Sequence, residues 1–273
     1  MRNKRLLVLL ATLLCAPLCA EIKAQDLSKY FKNTEGAFVL YDLKNDRYLR
    51  YNERRCRERF SPFSTFKIPN SLIGLETGVI NDAEFVIPWD SKKYPAKNNM
   101  IPEWNRDQTL RTAIKYSVVW YYRELATRVG EPRMKEWVTK LGYGNQDTSG
   151  GIDQFWLRSS LRISADEQIE FLKKLYREEL PVSKRSLEIV KDILTLEKTA
   201  EYKLSAKTGG GPLGEGKYIG WFVGYLEANG NVYFFAINLD EKNSADLRQR
   251  RINLTKKILT DLGHIKPRLG RDF

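Results

Sequence analysis

The sequence is organised around residues 59–70, which read Arg-Phe-Ser-Pro-Phe-Ser-Thr-Phe-Lys-Ile-Pro-Asn. If this stretch is helical, Ser64 and Lys67 share one face, with their Cβ atoms roughly 5–6 Å apart. A serine hydroxyl is a weak nucleophile until a base accepts its proton, and lysine is a base only while its amine is neutral. The neighbouring phenylalanines and Ile68 would exclude water from that amine and lower its pKa. The pattern therefore predicts a nucleophile and its base, although an N-capping serine followed by a solvated lysine satisfies the same spacing.

Residue counts exclude several kinds of site. The chain contains one histidine, His264, close to its C-terminus. A Ser-His-Asp triad would have to use that side chain, and a zinc site would have almost no nitrogen ligands. Only Cys56 lies outside the first twenty residues, so no internal disulfide is expected. We therefore predict a base other than imidazole and no metal site.

Size and composition describe an ordinary globular protein. A chain of 273 residues with 42% hydrophobic content can form one large domain or two closely packed lobes. The formal net charge is +12, but the Lys and Arg residues are scattered among Asp and Glu, as in residues 167–179. No basic and aromatic repeat appears, so we interpret the charge as solvated surface and predict no nucleic-acid partner.

The N-terminus has the pattern of a secretory signal. Three basic side chains lie in the first five residues, and residues 6–20 form an apolar run of fifteen, which is short for a membrane span. We expect residues 1–24 to be removed after Ala24, with Ala20 as the second choice of cleavage site. The predicted mature protein, residues 25–273, is secreted or periplasmic and has no membrane anchor.

Strand patterns occur at both ends of the chain and helical patterns in the middle. Asn229-Gly230 is a strong signal for a two-residue hairpin turn. The predicted class is α/β (α+β), an antiparallel sheet built from N- and C-terminal segments flanked by helices. Its mixed lobe takes about 25–60 and 200–273, and an inserted all-helical lobe takes about 61–199. Strands are expected at 36–43, 47–51, 202–207, 218–227 and 232–239, helices at 109–129, 134–141, 166–178, 183–197 and 244–262, and a glycine-rich turn at 209–216.

Lys207-Thr208-Gly209 ends a predicted strand, where lysine could enter a cleft and threonine could bind a carboxylate. A strand end before a loose turn is the alternative. The glycines at 209, 211 and 214 also satisfy a dinucleotide-binding fingerprint. That fingerprint requires a following helix, whereas Pro212 interrupts it and Tyr218 begins a strand, so we reject it.

Three further segments could carry chemistry, and each has a structural alternative. Ser117-Val118-Val119 could relay a proton, or Ser117 could be an ordinary helix-face serine. Residues 154–157, Gln-Phe-Trp-Leu, could wall a pocket, with Trp156 offering one N–H donor, or could be core. The last helix contains three arginines that could bind a carboxylate bidentately or form a solvated cluster: Arg248, Arg250 and Arg251.

The order of these motifs resembles that of penicillin-recognising serine enzymes. Within them the chain is similar to the class D, or oxacillinase-type, β-lactamases over essentially the whole mature sequence. A Ser-Asp-Asn triad is absent, and Ser117-Val118-Val119 stands in its place. The matching segments are Ser64-Thr65-Phe66-Lys67-Ile68-Pro69-Asn70, Trp104, Asp107-Gln108-Thr109-Leu110, Ser117-Val118-Val119, Tyr143-Gly144-Asn145, Gln154-Phe155-Trp156-Leu157 and Lys207-Thr208-Gly209.

The resemblance implies an acyl-enzyme mechanism that acts on a small β-lactam substrate. Ser64 would be the nucleophile, and Lys67, carboxylated by carbon dioxide or bicarbonate, would be the general base; no diffusible cofactor is implied. Ser117 would pass a proton to the leaving nitrogen with help from Lys207. The remaining implied roles are an oxyanion hole (Ser64 and Gly210), a carbamate pocket (Phe66, Val119, Trp156, Leu157) and a substrate-binding group (Thr208, Gly209, Arg251). Most family members carry a bulkier residue where Gly210 stands.

Two related activities remain as alternatives. The sensor domains of β-lactam receptors share the fold and the motifs but stay acylated, and a transpeptidase or carboxypeptidase would act on cell-wall peptides. The range of accepted β-lactams does not follow from these residues, nor does the choice between monomer and homodimer.

Overall fold

The computed structural model describes residues 26–32 and 34–266. Its main sheet has six strands, all paired antiparallel, in the order β2-β1-β8-β7-β6-β5, and β3 pairs with β4 separately. The strands are β1 Gly36–Asp42, β2 Arg47–Tyr51, β3 Val86–Ile87, β4 Gln108–Thr109, β5 Thr195–Lys198, β6 Tyr202–Gly214, β7 Lys217–Ala228 and β8 Asn231–Glu241. The α-helices are α1 Glu53–Arg57, α2 Lys67–Glu76, α3 Leu110–Lys115, α4 Val119–Val129, α5 Glu131–Lys140, α6 Ala165–Tyr176, α7 Lys184–Ile193 and α8 Ser244–Asp261.

The sheet is built from both ends of the chain, as predicted. β1 pairs with β8, and β7 turns into β8 through Asn229 and Gly230, whose φ angles are 54° and 66°. Two consecutive residues with positive φ are the requirement of the tight hairpin turn that matches strand twist. The hairpin prediction is therefore confirmed.

Each face of the sheet is covered by a helix. α8 packs on β7 and β8, while α6 packs on the other side against β1 and β8. β7 and β8 are buried along nearly their whole length, because both faces are covered and their sequences are almost continuously apolar. The predicted α+β architecture is confirmed.

α2 lies in the middle of the helical part and is buried along nine of its ten residues. It packs against α4, α5 and α7. Pro69 lies in its first turn, where backbone N–H groups have no acceptor within the helix, so the N–H that proline lacks costs no helical hydrogen bond. Ser64 precedes this helix, within a 3₁₀ turn at Phe63–Phe66. The rigid helix therefore fixes the position of the residues expected to carry the chemistry.

Three predicted elements are wrong in detail. The expected glycine turn at 209–216 is strand as far as Gly214, because Gly209 and Gly211 keep their ladder positions opposite Trp221 and Ile219. The expected helix at 109–129 is broken between α3 and α4. The expected helix at 183–197 ends at Ile193, and β5 then joins the sheet edge from the range assigned to the helical lobe.

Within the described ranges, no helix is both long and apolar enough to cross a membrane. The predicted leader, residues 1–24, lies outside those ranges.

Candidate active site

The turn that carries Ser64 is held in a conformation that L-residues rarely adopt. Phe63 has φ +49°. Its N–H donates to Trp156 O at 2.9 Å, and Thr65 Oγ1 donates to Pro62 O at 2.9 Å. Such strain persists only where the surroundings fix the backbone. Ser64 is half-buried between buried neighbours, so the turn presents the serine at the edge of the core.

Lys67 is removed from solvent completely. Its Nζ donates to Ser117 Oγ at 3.0 Å and to Ser117 O, and lies 5.4 Å from the ring centroid of Tyr122. No carboxylate pairs with it among the described residues. Burial, and then the nearby Lys207 ammonium, hold the pKa of Lys67 well below its ordinary value of 10.5. The site therefore favours the neutral amine, as the sequence predicted.

Ser117 lies between the two lysines. Its φ is +56°, and it occupies the break between α3 and α4 instead of a helix face. Ser117 Oγ accepts from Lys67 Nζ at 3.0 Å and from Lys207 Nζ at 2.9 Å. The break places one hydroxyl between two amines that are 140 residues apart in sequence, and so brings the three predicted residues together.

Lys207 reaches this hydroxyl from β6. Its Nζ also donates to Thr208 O at 3.0 Å. Burial, followed by the positive charge of Arg251, lowers the pKa of Lys207 from 10.5 to about 7. Lys67, Lys207 and Arg251 are thus three basic groups in a mostly buried row, an arrangement that attracts anions and makes proton transfer near neutral pH accessible.

The lowered pKa of Lys207 makes a prediction about stability. In the unfolded chain the Lys207 amine keeps its proton up to about pH 10.5, whereas in the folded chain it releases the proton near pH 7. Between these two pH values the unfolded state therefore binds more protons than the folded state. The stability of the native protein should therefore rise with pH across that window, and Lys207→Met should lack this contribution. We expect the free energy of unfolding of Lys207→Met, relative to that of the native protein, to decrease by on the order of 2 kcal/mol from pH 7 to pH 9. Urea denaturation of both proteins measures it; a pH-independent difference would contradict the assigned shift.

An aromatic cluster surrounds Phe66, the residue that precedes Lys67. Phe66 stacks on Trp156 with ring centroids 5.4 Å apart, and Phe155 packs edge-on against both rings. Val119 and Leu157 are half-buried and pack on the hydrophobic core that contains this cluster. Trp156 Nε1 is buried without a hydrogen-bond partner in the described part of the chain. Because such donors are rarely left unpaired, this N–H is available to a further acceptor.

One of the three candidate arginines reaches β6. The guanidinium of Arg251 donates through Nη1 to Gly209 O, and its Nε is buried without a partner among the described residues. Burial, and then Arg248, lower its pKa from 12.5 to about 10. The guanidinium of Arg250 donates hydrogen bonds to Glu241 and Thr34, and Arg248 is exposed.

Gly210 lies on the strand directly beside that arginine. A Cβ at Gly210 would be 2.8 Å from Arg251 Nη1, so the glycine leaves space for the guanidinium. Thr208 is half-buried and Gly210 is exposed. Gly209 packs tightly on the Ser64 turn, where a Cβ would be 2.7 Å from Pro62 O. The last part of β6 therefore runs between the serine turn and Arg251.

Sequence reasoning missed a buried polar network under the turn. Thr65 Oγ1 accepts from Gln168 Nε2 at 2.9 Å and lies 3.3 Å from Tyr143 Oη. Gln168 lies on the buried face of α6, next to Ile169 and 1% exposed. A glutamine on the apolar face of a predicted helix is the signal that could have identified it, since buried polar groups require partners.

The described residues contain no group of three or more His, Cys, Asp and Glu side chains that could hold a metal ion.

Comparison with known proteins assigns the family. Residues 32–260 match the model of the penicillin binding protein transpeptidase domain. The chain is 42% identical over 244 residues to the probable beta-lactamase YbxI of Bacillus subtilis, covering 89% of this chain and 87% of that protein. It is 45% identical over 226 residues to beta-lactamase OXA-48 of Klebsiella pneumoniae, covering 83% of each.

A solved structure shows the same fold. The class D β-lactamase YbXI from Nostoc superposes with a TM-score of 0.82 at 41% identity, covering 88% of this chain and 99% of that one. The superposition therefore extends over most of this chain and almost all of the other. The chain therefore belongs to the class D β-lactamases, serine hydrolases within the penicillin-binding protein transpeptidase family.

Proposed function

We propose that this protein hydrolyses the β-lactam amide bond of penicillin-type antibiotics through an acyl-enzyme on Ser64, and thereby confers resistance to them. The observation that carries the proposal is the hydroxyl of Ser117 held between two lysine amines whose pKa values are both lowered. This arrangement supplies a route for protons next to a serine without any histidine. Membership of the class D family supports the substrate class.

The chain's own groups account for bond breaking in the acylation step. Ser64 Oγ attacks the lactam carbonyl, and the N–H groups of Ser64 and Gly210 stabilise the oxyanion, an interaction typically worth about 2.7–4 kcal/mol per donor. Ser117 delivers a proton to the departing ring nitrogen, and the adjacent Lys207 then protonates the Ser117 oxygen again. Thr208, Gly209 and Arg251 bind the substrate carboxylate. Water then hydrolyses the ester and frees Ser64.

We propose further that Lys67 is carboxylated. A neutral, buried amine attacks carbon dioxide, forming the N–C bond and releasing one proton. The buried and unpartnered N–H of Trp156, beside Phe66, fits the need for a donor to the resulting anion. When bound, the carboxylate supplies a base for activating Ser64 and the hydrolytic water. With ¹³C-labelled bicarbonate, NMR should show one carbamate signal in the native protein and none in Lys67→Ala.

A substitution at Val119, in the proposed carbamate pocket, provides a second test of Lys67 carboxylation. Val119 opens α4 two residues after Ser117, so Val119→Asp would bring a carboxylate to the pocket and disfavour a second anion on Lys67. We expect activity in this variant to require about tenfold more bicarbonate, since one pKa unit of repulsion is a tenfold change. The isosteric Val119→Thr is the control and should keep the native requirement. Equal bicarbonate requirements in Val119→Asp and the native protein would contradict the proposed pocket.

The hydrolase is distinguished from its alternatives by turnover. We expect many equivalents of benzylpenicillin to be hydrolysed per enzyme, with a transient adduct on Ser64 seen by mass spectrometry. One equivalent consumed with no further turnover would indicate a sensor domain. Faster turnover of acyl-D-Ala-D-Ala peptides than of penicillin would indicate a cell-wall peptidase.

The remaining proposals concern the mature chain. We propose that residues 1–24 are a leader removed on export and that residues 25–273 act as one catalytic domain in the periplasm or outside the cell, as a monomer or homodimer. N-terminal sequencing and light scattering of the exported protein test the cleavage site and the assembly.

A further inference from the structure

A pocket lies beside the Ser64 turn. It has a volume of about 160 Å³ and is lined by Ser61, Phe63, Arg158, Arg162, Pro212 and Leu213, among others. Its two charged lining residues are both arginines, and the other lining residues are apolar or neutral. The pocket is therefore an electropositive cavity.

The two arginines are available to a ligand. Arg158 and Arg162 are exposed, and neither forms an ion pair with a carboxylate of the described residues. Some other exposed arginines are paired, such as Arg59 with Glu167 and Arg111 with two acids. Two unpaired guanidinium groups at one cavity make it favourable for an anion.

The backbone that presents these arginines is fixed by hydrogen bonds. Asn145 Oδ1 accepts from the N–H of Arg162 at 2.8 Å, and Asn145 N–H donates to Arg162 O at 2.9 Å. Leu161 N–H donates to Phe155 O at 3.0 Å. Arg158, between these anchors, has φ +135°, which a non-glycine residue adopts only when its surroundings impose it. Binding an anion here therefore requires little ordering of the main chain.

The pocket shares Phe63 with the turn that carries Ser64. Phe63 precedes Ser64 and packs under Gly211, where a Cβ would be 2.3 Å from its ring. At Gly210 the Cβ direction points instead to Arg251. Successive residues of a strand face opposite sides, so Arg251 and the pocket lie on opposite sides of β6. A β-lactam whose ring carboxylate is held at Arg251 would extend its acyl side chain towards the pocket.

Resting on the proposed function, we propose that Arg158 and Arg162 form a subsite for an anionic group, such as a carboxylate, on the acyl side chain of a β-lactam. The subsite then selects among substrates without taking part in bond breaking. Attraction across this partly exposed pocket is screened by salt.

Two penicillins that differ in one group test this subsite. Carbenicillin is benzylpenicillin with a carboxylate added to the side-chain α-carbon, so the ratio of their kcat/KM values isolates that group. In Arg158→Gln/Arg162→Gln we expect the carbenicillin-to-benzylpenicillin ratio to fall about tenfold, while kcat/KM for benzylpenicillin stays within about twofold. Ampicillin, with an α-ammonium group, should be hydrolysed better by the double variant than by the native protein.

The controls separate this subsite from general charge effects and from the proposed function. Arg47→Gln removes one positive charge from exposed β2 and should leave the ratio unchanged. An unchanged ratio in the double variant, or an equal loss for both penicillins, would overturn the subsite while hydrolysis itself remains. Absence of benzylpenicillin hydrolysis in the native protein would overturn the proposed function instead, and the subsite with it.

Discussion

Replacing Lys67 with alanine is expected to abolish multiple turnover, lowering kcat for benzylpenicillin by about 10³-fold or more. The variant loses the only basic group that lies one turn beyond Ser64 and donates to Ser117. Without that base, neither Ser64 nor the hydrolytic water is deprotonated at an appreciable rate. Any ester that forms should persist, so mass spectrometry should detect a long-lived adduct where the native protein shows a transient one.

Loss of folding would not explain this result. Lys67 is buried without a carboxylate partner, so its removal relieves a desolvation penalty. We expect Lys67→Ala to unfold at a temperature close to that of the native protein, although the lost methylenes leave a cavity. Lys135→Ala, on the exposed side of α5, is the matched control and should keep full activity. Native turnover in Lys67→Ala would remove the proposed base.

Ser117→Ala is expected to lower kcat/KM by about 10²–10⁴-fold, the range of a lost proton-transfer group. The change deletes the hydroxyl to which Lys67 and Lys207 both donate. Each lysine keeps one backbone acceptor, Ser117 O and Thr208 O respectively, so both side chains retain a tether in the site. What is lost is the connection between the base and the leaving nitrogen.

The positive φ of Ser117 requires a separate control, because alanine tolerates that conformation poorly. Ser117→Gly removes the same hydroxyl and relieves the backbone. A loss caused by the hydroxyl should persist in the glycine variant, whereas a loss caused by strain should be reversed. Ser71→Ala deletes another buried hydroxyl, which donates to Lys67 O, and should lower stability by about 1 kcal/mol with little effect on kcat. Restoration of activity in Ser117→Gly would contradict the relay.

Features that depend on residues close together in the sequence were predicted correctly. The lowered pKa of Lys67 follows from the apolar residues around it in sequence, and the turn at Asn229 follows from the need for positive φ. The glycines after Thr208 were misread as a turn because their role depends on distant neighbours: Pro62 and Phe63 leave no room for a Cβ at Gly209 and Gly211. A strand that must approach another segment closely is rich in glycine, as a loop is, so composition does not distinguish the two.

Long-range contacts explain the other misses. Nothing in residues 109–129 signals the helix break at Ser117, since the amine partners of that serine come from α2 and β6. The residues alone left three arginines open, and only the resemblance implied Arg251; in the structure Arg250 is paired with Glu241 and Thr34, whereas Arg251 reaches β6. Gln168 was missed because its partner, Thr65, is 103 residues away.

The most direct test of the central claim is the rate of benzylpenicillin hydrolysis before and after removal of carbon dioxide. The enzyme is degassed in bicarbonate-free buffer, assayed, supplied with bicarbonate and assayed again. If the carboxylate that Lys67 forms with carbon dioxide is the base, the rate should fall at least tenfold on removal and recover fully on restoration. A rate that is the same in both buffers would show that the free amine, or another group, drives Ser64.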